Sequence, residues 1–302
     1  MARVATIPLQ RTLSDAIMRS QEKLAVTQAQ LSTGKKATTY ADLGTETVRN
    51  LSAHSMLARQ EAQSTVAKRV DTSLSLYQGS LEGIDTATSE LRVDVLNAIG
   101  TGKADGLQEA VQSAFSQFRS ALNLSEGGAP LFGGSQTVGD PFIPASLAEV
   151  AATDADAAFQ DDGIKSSARI ADGVDLTYGI SASSAGKDLY AAFRTLAQAG
   201  PFGETPTEDQ ITALKTAMDQ IDKGLTSTRS VNAENGRKQA QLETMTKRND
   251  ERALLLSGVI ESNEDADLGQ VAIDLAQQKA VLEASYSVFS QLSSLSLVNY
   301  IR

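Results

Sequence analysis

Three places in this 302-residue chain carry residue types able to do chemistry, and in each the spacing is wrong for it. His54 is the single histidine, and there is no cysteine. Multi-histidine metal sites, zinc-thiolate centres, thiol catalysis and disulfides are excluded together. The neighbours of His54, Leu51-Ser52-Ala53 and Ser55-Met56-Leu57, read as an ordinary helical position, which sets aside a histidine-based triad. Gly34-Lys35-Lys36 has the residue types of a phosphate loop. It lacks the glycine five residues earlier, puts Lys36 where a Ser or Thr must hold the metal, and follows a helix instead of a strand. Asp154, Asp156, Asp161 and Asp162 offer carboxylates for calcium. They have no glycine at the sixth loop position and no closing glutamate, so they read as a solvated acidic loop. The chain is expected not to be an enzyme and to need no cofactor.

Charge narrows the partners. The net charge is −10 and the isoelectric point near 4.7, whereas a nucleic-acid groove or an anionic membrane needs clustered Lys and Arg. No run approaches the 18 apolar residues of a membrane span. Arg3 is followed by Pro8, Gln10, Arg11 and Asp15 where a cleaved leader would be continuously apolar. Aromatics are 5% of a chain that is 41% hydrophobic, without tryptophan, which favours Ala/Leu helix packing over aromatic-filled cores.

Helical elements must therefore carry the function. Ile17, Leu24 and Leu31 recur every seven residues before Ser32-Thr33-Gly34 stops the first helix. Residues 35–43 read as an ordered connector. A long proline-free helix from about 45 to 99 places Val70, Tyr77, Ile84 and Leu91 beside Leu74, Leu81, Thr88 and Val95 in an a/d arrangement. It would be roughly 80 Å long, with Gly79 and Gly83 as points of local weakness. Gly100-Thr101-Gly102-Lys103 ends it. Leu107, Val111, Phe115, Phe118 and Leu122 then mark a helix folding back.

Glycines and prolines from Gly127 to Pro144 permit no helix. Residues 166–170 and 174–180 alternate around Asp172-Gly173, with Val174, Leu176, Tyr178 and Ile180 on one face, the pattern of a hairpin with a primed turn. Helical spacing returns over 186–199, 207–221 and about 223–262. The last helix is expected to start near Asn263-Glu264-Asp265, residues suited to an N-cap. It carries Leu268, Leu275, Leu282 and Phe289 in one row and Val281, Val288 and Leu295 in a second.

The fold class is thus mainly α: a long antiparallel helical rod or coiled coil built from both terminal thirds, with a small β-containing central insert. Its parts are an N-terminal assembly helix and connector (1–42), a helical hairpin (43–125), an outward-facing insert (126–185), returning helices (186–262) and a C-terminal assembly helix (263–302). Val70, Leu74, Tyr77, Leu81, Ile84, Leu91 and Val95 are assigned to an internal core. Ile17, Leu24 and Leu31 are assigned to subunit assembly with Leu268, Leu275, Leu282, Phe289 and Leu295. Uncharged polar groups such as Gln21, Gln28, Gln30, Gln277, Gln278 and Gln291 line the same helices, as adaptable contacts or as a solvated face.

Several stretches carry a family resemblance. Leu31-Ser32-Thr33-Gly34-Lys35-Lys36 resembles the segment closing the first helix of bacterial flagellins and their hook-associated relatives. Glu264-Asp265-Ala266-Asp267-Leu268, Ala284-Ser285-Tyr286-Ser287-Val288-Phe289 and Leu295-Ser296-Leu297-Val298-Asn299-Tyr300 resemble that family's C-terminal signature. Pro130-Leu131-Phe132-Gly133-Gly134-Ser135-Gln136-Thr137, then Pro141-Phe142, is similar to a segment of the hook-filament junction branch, with Pro130 in place of an aromatic. Met1-Ala2-Arg3-Val4 points the same way.

The resemblance implies an extracellular flagellar subunit, exported by the flagellar type III pathway without signal cleavage. It also implies a homo-oligomer, neighbouring hook-associated protein and flagellin as partners, an export chaperone before secretion, and neither nucleic-acid binding nor membrane insertion. A filament-forming flagellin and, from another class, a soluble helical module such as a secretion chaperone or scaffold are the alternatives.

Overall fold

The computed structural model describes residues 3–298, with side chains described over 11–291. It is mainly α, with long helices and two small two-stranded sheets. The helices are α1 (Arg3–Thr33), α2 (Thr47–Thr101), α3 (Leu107–Leu122), α4 (Leu147–Ala152), α5 (Ala155–Ala158), α6 (Ala182–Ala199), α7 (Glu208–Glu264) and α8 (Leu268–Val298). The strands are β1 (Ser125–Glu126), β2 (Ala129–Pro130), β3 (Ser166–Ala171) and β4 (Val174–Tyr178), and a 3-10 helix spans Tyr40–Glu46. Two compact units are formed, one by Met1–Arg59 with Arg252–Arg302, the other by Gln60–Glu251.

In the second unit, α2 runs through Gly79 and Gly83 without a break. Gly102, with φ +68°, ends it by donating to the Ala98 carbonyl at 3.0 Å, the left-handed stop that glycine permits. Val70, Leu74, Tyr77, Leu81, Ile84, Leu91 and Val95 are all buried, and Thr88 lies buried among them. α2 is tied to α7 by the paired bonds Arg92–Asp222 and Arg229–Asp85, and by Asn235, whose Nδ2 donates to the Leu74 carbonyl at 2.8 Å.

Low aromatic content does not make this core aliphatic. Every phenylalanine except Phe289 lies between residues 115 and 202, so the chain average hides a local concentration. Phe115, Phe118, Phe142, Phe159, Tyr190 and Phe193 stack edge-on or tilted, with centroids 5.1 to 6.1 Å apart. Such pairs add about 0.5–1.5 kcal/mol each beyond the area they bury. Tyr77 packs on Phe132 and donates to the Leu131 carbonyl; its burial pushes the phenol up to about 12.

α7 is one helix of 57 residues where the spacing suggests two. Gly224, inside this helix, is a packing residue. A Cβ there would lie 2.3 Å from Leu189 Cδ2 and 2.9 Å from the Leu189 nitrogen, so its absence lets α6 approach. Thr207 and Gln210 cap the start reciprocally, backbone nitrogen to side chain, at 3.2 and 3.0 Å. The N-cap expected at residues 263–265 is also displaced. Asn263 and Glu264 belong to the last turn of α7, and Asp267 caps α8 by accepting from the Gly269 and Gln270 nitrogens at 2.9 and 3.1 Å.

The β3–β4 hairpin pairs Ser166 with Tyr178 and Ala168 with Leu176, turning at Asp172-Gly173, where Gly173 has φ +71°. Ile170 and Leu176 cover Val70, Leu74 and Leu242. Asn249 Nδ2 donates to the Ile170 carbonyl at 2.7 Å, and Gln63 to Asp172 at 2.9 Å. The acidic segment is largely exposed, as a solvated run would be, and its four carboxylates also each bond a neighbour. Asp154 pairs with Arg194 and Asp156 with Lys187, Asp161 accepts from Ser183, and Asp162 accepts from Ser135 and the Ile164 nitrogen. The Lys187 ammonium holds Asp156 below the usual carboxylate range, and the Ser135 hydroxyl does the same for Asp162.

Two glycines should respond oppositely to the same change. Gly224→Ala must displace Leu189 and should cost about 1–3 kcal/mol. Gly83→Ala meets nothing within 4 Å and should add about 0.5–1 kcal/mol by lowering the entropy of the unfolded chain. Urea denaturation followed by circular dichroism measures both.

Candidate functional site

The first unit contains the two helices carrying the rows assigned to assembly. α1 packs against α8. Ile17 is buried, Leu24, Leu275, Leu282 and Phe289 are half-buried, and Val271 and Thr27 are buried beside them. Gln21 Nε2 donates to the Tyr286 hydroxyl. Leu31 and Leu268, at the ends of their rows, are exposed. Leu295 lies in α8 but outside the residues whose side chains are described.

The pair leaves apolar surface uncovered. Met18 and Val26 on α1, and Ile273, Val281 and Val288 on α8, are 47 to 62% exposed. The residues at 281 and 288 form a row of their own, apart from the one half-buried at 275, 282 and 289. Exposed single apolar residues are ordinary on a protein surface, but an exposed apolar row on a helix whose other row is already packed is not.

Behind this pair lies a polar cluster built on Glu264. α2 brings Asn50 and His54, four residues apart and so on one face, to its carboxylate. Asn50 Nδ2 and His54 Nε2 each reach Oε1 at 2.6 Å, and Lys35 Nζ reaches Oε2 at 3.3 Å. An ionised carboxylate only accepts, so the imidazole Nε2 carries the proton and donates. The Lys35 ammonium also pairs with Asp265 at 2.6 Å, and these two acids hold it above the ordinary lysine value.

Around the carboxylate the backbone closes a short antiparallel contact between Lys35 and Asp265. The Lys36 nitrogen donates to the Glu264 carbonyl at 2.6 Å and the Ala266 nitrogen to the Gly34 carbonyl at 2.9 Å. Gly34, with φ +70°, supplies the left-handed turn that sends the chain from α1 into this contact. Tyr40 sets its ring edge-on to His54, 6.3 Å between centroids.

This arrangement departs from the reading of His54 as an ordinary helical position and of Glu264 as a helix cap. Nothing local to Glu264 marks it as a hub. The available signal is on α2, where Asn50, Gln60 and Gln63 occupy the buried face of an amphipathic helix and so require polar partners. Chemically the cluster is a fastener. The one bond of the His54 ring runs to Glu264 among the hydrogen bonds of the described residues, and among those residues no three His, Asp or Glu side chains group as metal ligands. No described helix is long and apolar enough to cross a membrane.

Against known proteins, residues 4–137 match the family described as the bacterial flagellin N-terminal helical region. No curated protein sequence matches the chain. Among solved structures, it is similar to one described as a flagellar hook-associated protein from Vibrio parahaemolyticus, with TM-score 0.61 and 16% identity, covering 72% of this chain and 97% of that one. It is also similar to Bacillus cereus FlgL, with TM-score 0.58 and 15% identity, covering 69% and 98%. The chain is flagellin-like over residues 4–137 and has the fold of these flagellar proteins.

Truncating Glu264 should matter more than truncating Lys35. Glu264→Ala strands the fully buried Asn50 amide and should destabilise the first unit by about 1–3 kcal/mol. Lys35, nearly half exposed, is worth less than about 1 kcal/mol. Native-state hydrogen exchange in the first turns of α2 separates the two outcomes.

Proposed function

We propose that this flagellin-like chain is a structural subunit of the bacterial flagellum that joins hook to filament, without catalytic activity. The observation carrying the proposal is the half-covered state of α8: its row at 275, 282 and 289 packs on α1, and its row at 281 and 288 faces outward with nothing on it. Neighbouring copies supply the cover. Burying a valine or leucine fully is worth roughly 1.5–3 kcal/mol, and a tube repeats that gain along every helix and every copy. The assembly set is Ile17, Leu24, Leu31, Leu268, Leu275, Leu282, Phe289 and Leu295.

In this reading the protein is extracellular, leaves the cell through the flagellar export route with a chaperone covering its terminal helices, and meets a hook-associated protein on one side and flagellin on the other. The insert at 126–185 faces outward. The junction role, as against a filament-forming flagellin, is supported by the segment at 130–137 and Pro141-Phe142. There Leu131, Phe132 and Phe142 are core residues, so the motif is built into the fold of the second unit instead of decorating its surface. An antibody raised against the insert, imaged on isolated flagella, tests the assignment. A band confined to the junction is expected, and labelling along the whole filament would replace the adaptor by a flagellin.

Charge placed on the outward row should separate folding from assembly. Val281→Asp with Val288→Asp is expected to leave the melting of the free chain within about 0.5 kcal/mol of wild type, as for exposed positions generally. It should abolish incorporation into flagella and swimming. Leu282→Asp, on the half-buried row, should impair both, read by circular dichroism and by motility in soft agar.

A further inference from the structure

While ionised, Glu264 presents only acceptors, and everything facing it donates. Asn50 and His54 come from α2 and Lys35 from the connector, while Lys36 Nζ reaches the neighbouring Ser262 carbonyl. The remaining charged groups nearby are committed elsewhere or turned outward. Asp265 holds the other side of Lys35, Asp42 accepts from Thr39 at 2.7 Å, Asp267 caps α8, and Glu261 is exposed. Tyr40 contributes its ring edge to His54. One carboxylate therefore gathers the connector, the start of α2 and the end of α7 within the first unit.

We infer that this cluster is an acid-released clasp: with Glu264 ionised it fastens residues 34–36 to the turn between α7 and α8, and protonating that carboxyl frees them while the second unit remains folded. A protonated carboxyl turns one acceptor into a donor among donors. Asn50 and His54 both reach Oε1, so a proton on Oε2 takes the Lys35 bond away and leaves the other two donating to a neutral carbonyl, each worth about half of what it is to a carboxylate. The side-chain ties that remain, the exposed Lys35–Asp265 pair and the Lys36 Nζ bond to the Ser262 carbonyl, lie at the surface and are each weak.

The sign follows from the same bonds. Donation by His54, then Asn50, then Lys35 holds the Glu264 carboxyl down to about 2, against an ordinary value of 4.5. A lowered folded-state value means a stabilising contribution fully present above about pH 4.5 and lost as pH falls toward 2. The clasp lies inside one chain and holds whether or not the protein joins a flagellum.

Hydrogen exchange on the full-length free protein between pH 6 and 2.5, corrected for intrinsic exchange, tests it at the Lys36 and Ala266 amides. Their opening constant should rise by up to about tenfold per pH unit below 4.5, with the β3–β4 amides unchanged. Glu264→Gln keeps a carbonyl acceptor but no charge, and should exchange fast at those two amides at pH 6 with a flat profile. A flat wild-type profile, loss of protection only in step with the hairpin, or wild-type behaviour in Glu264→Gln would overturn the clasp. Should the variant lose its hairpin protection, the wild-type series decides alone.

Discussion

One helix with two apolar sides and a single partner sets the terms for this molecule. α8 packs its row at 275, 282 and 289 on α1 and turns a second row, Val281 and Val288, to solvent. Ordering a 31-residue helix opposes folding by about 1–2 kcal/mol per residue, and half-buried side chains return only part of what full burial would. We propose that surface from outside the chain completes a helix in that position.

The two units obtain their order by different means. The second is self-sufficient: seven apolar residues of α2, an aromatic cluster fed by α3 and α6, and a hairpin pinned through Ile170 and Leu176 bury one another. The first has few buried apolar side chains among its described residues. It relies on polar fastening, with Glu264 at the centre and backbone bonds between residues 34–36 and 264–266 around it. Apolar side chains do not titrate, whereas a carboxylate holding three donors does, so the first unit is where pH can act.

What was legible in the sequence is what depends on neighbours along the chain. The length of α2, the glycine stop after Thr101, the hairpin turn at Asp172-Gly173 and the heptad rows of α1 and α8 all follow from local period and turn chemistry. What was missed depends on residues far apart. His54 and Lys35 meet Glu264 across 210 and 229 positions, so no local pattern distinguishes a hub from a cap. Nothing along the chain marks Gly224; its role follows only once Leu189 of α6 is placed against it. The aromatic core was hidden by averaging composition over a chain in which phenylalanine is concentrated in one third.

The lack of cysteine makes the central claim directly measurable, because a single Val288→Cys substitution gives a unique probe on the outward row of α8. Maleimide labelling would be compared between the free chain and the chain in isolated flagella. Rapid labelling of the free chain and strong protection in the flagellum are expected. Equal reactivity in both states, or protection already complete in the free chain, would contradict the claim that neighbouring molecules finish what α1 leaves uncovered.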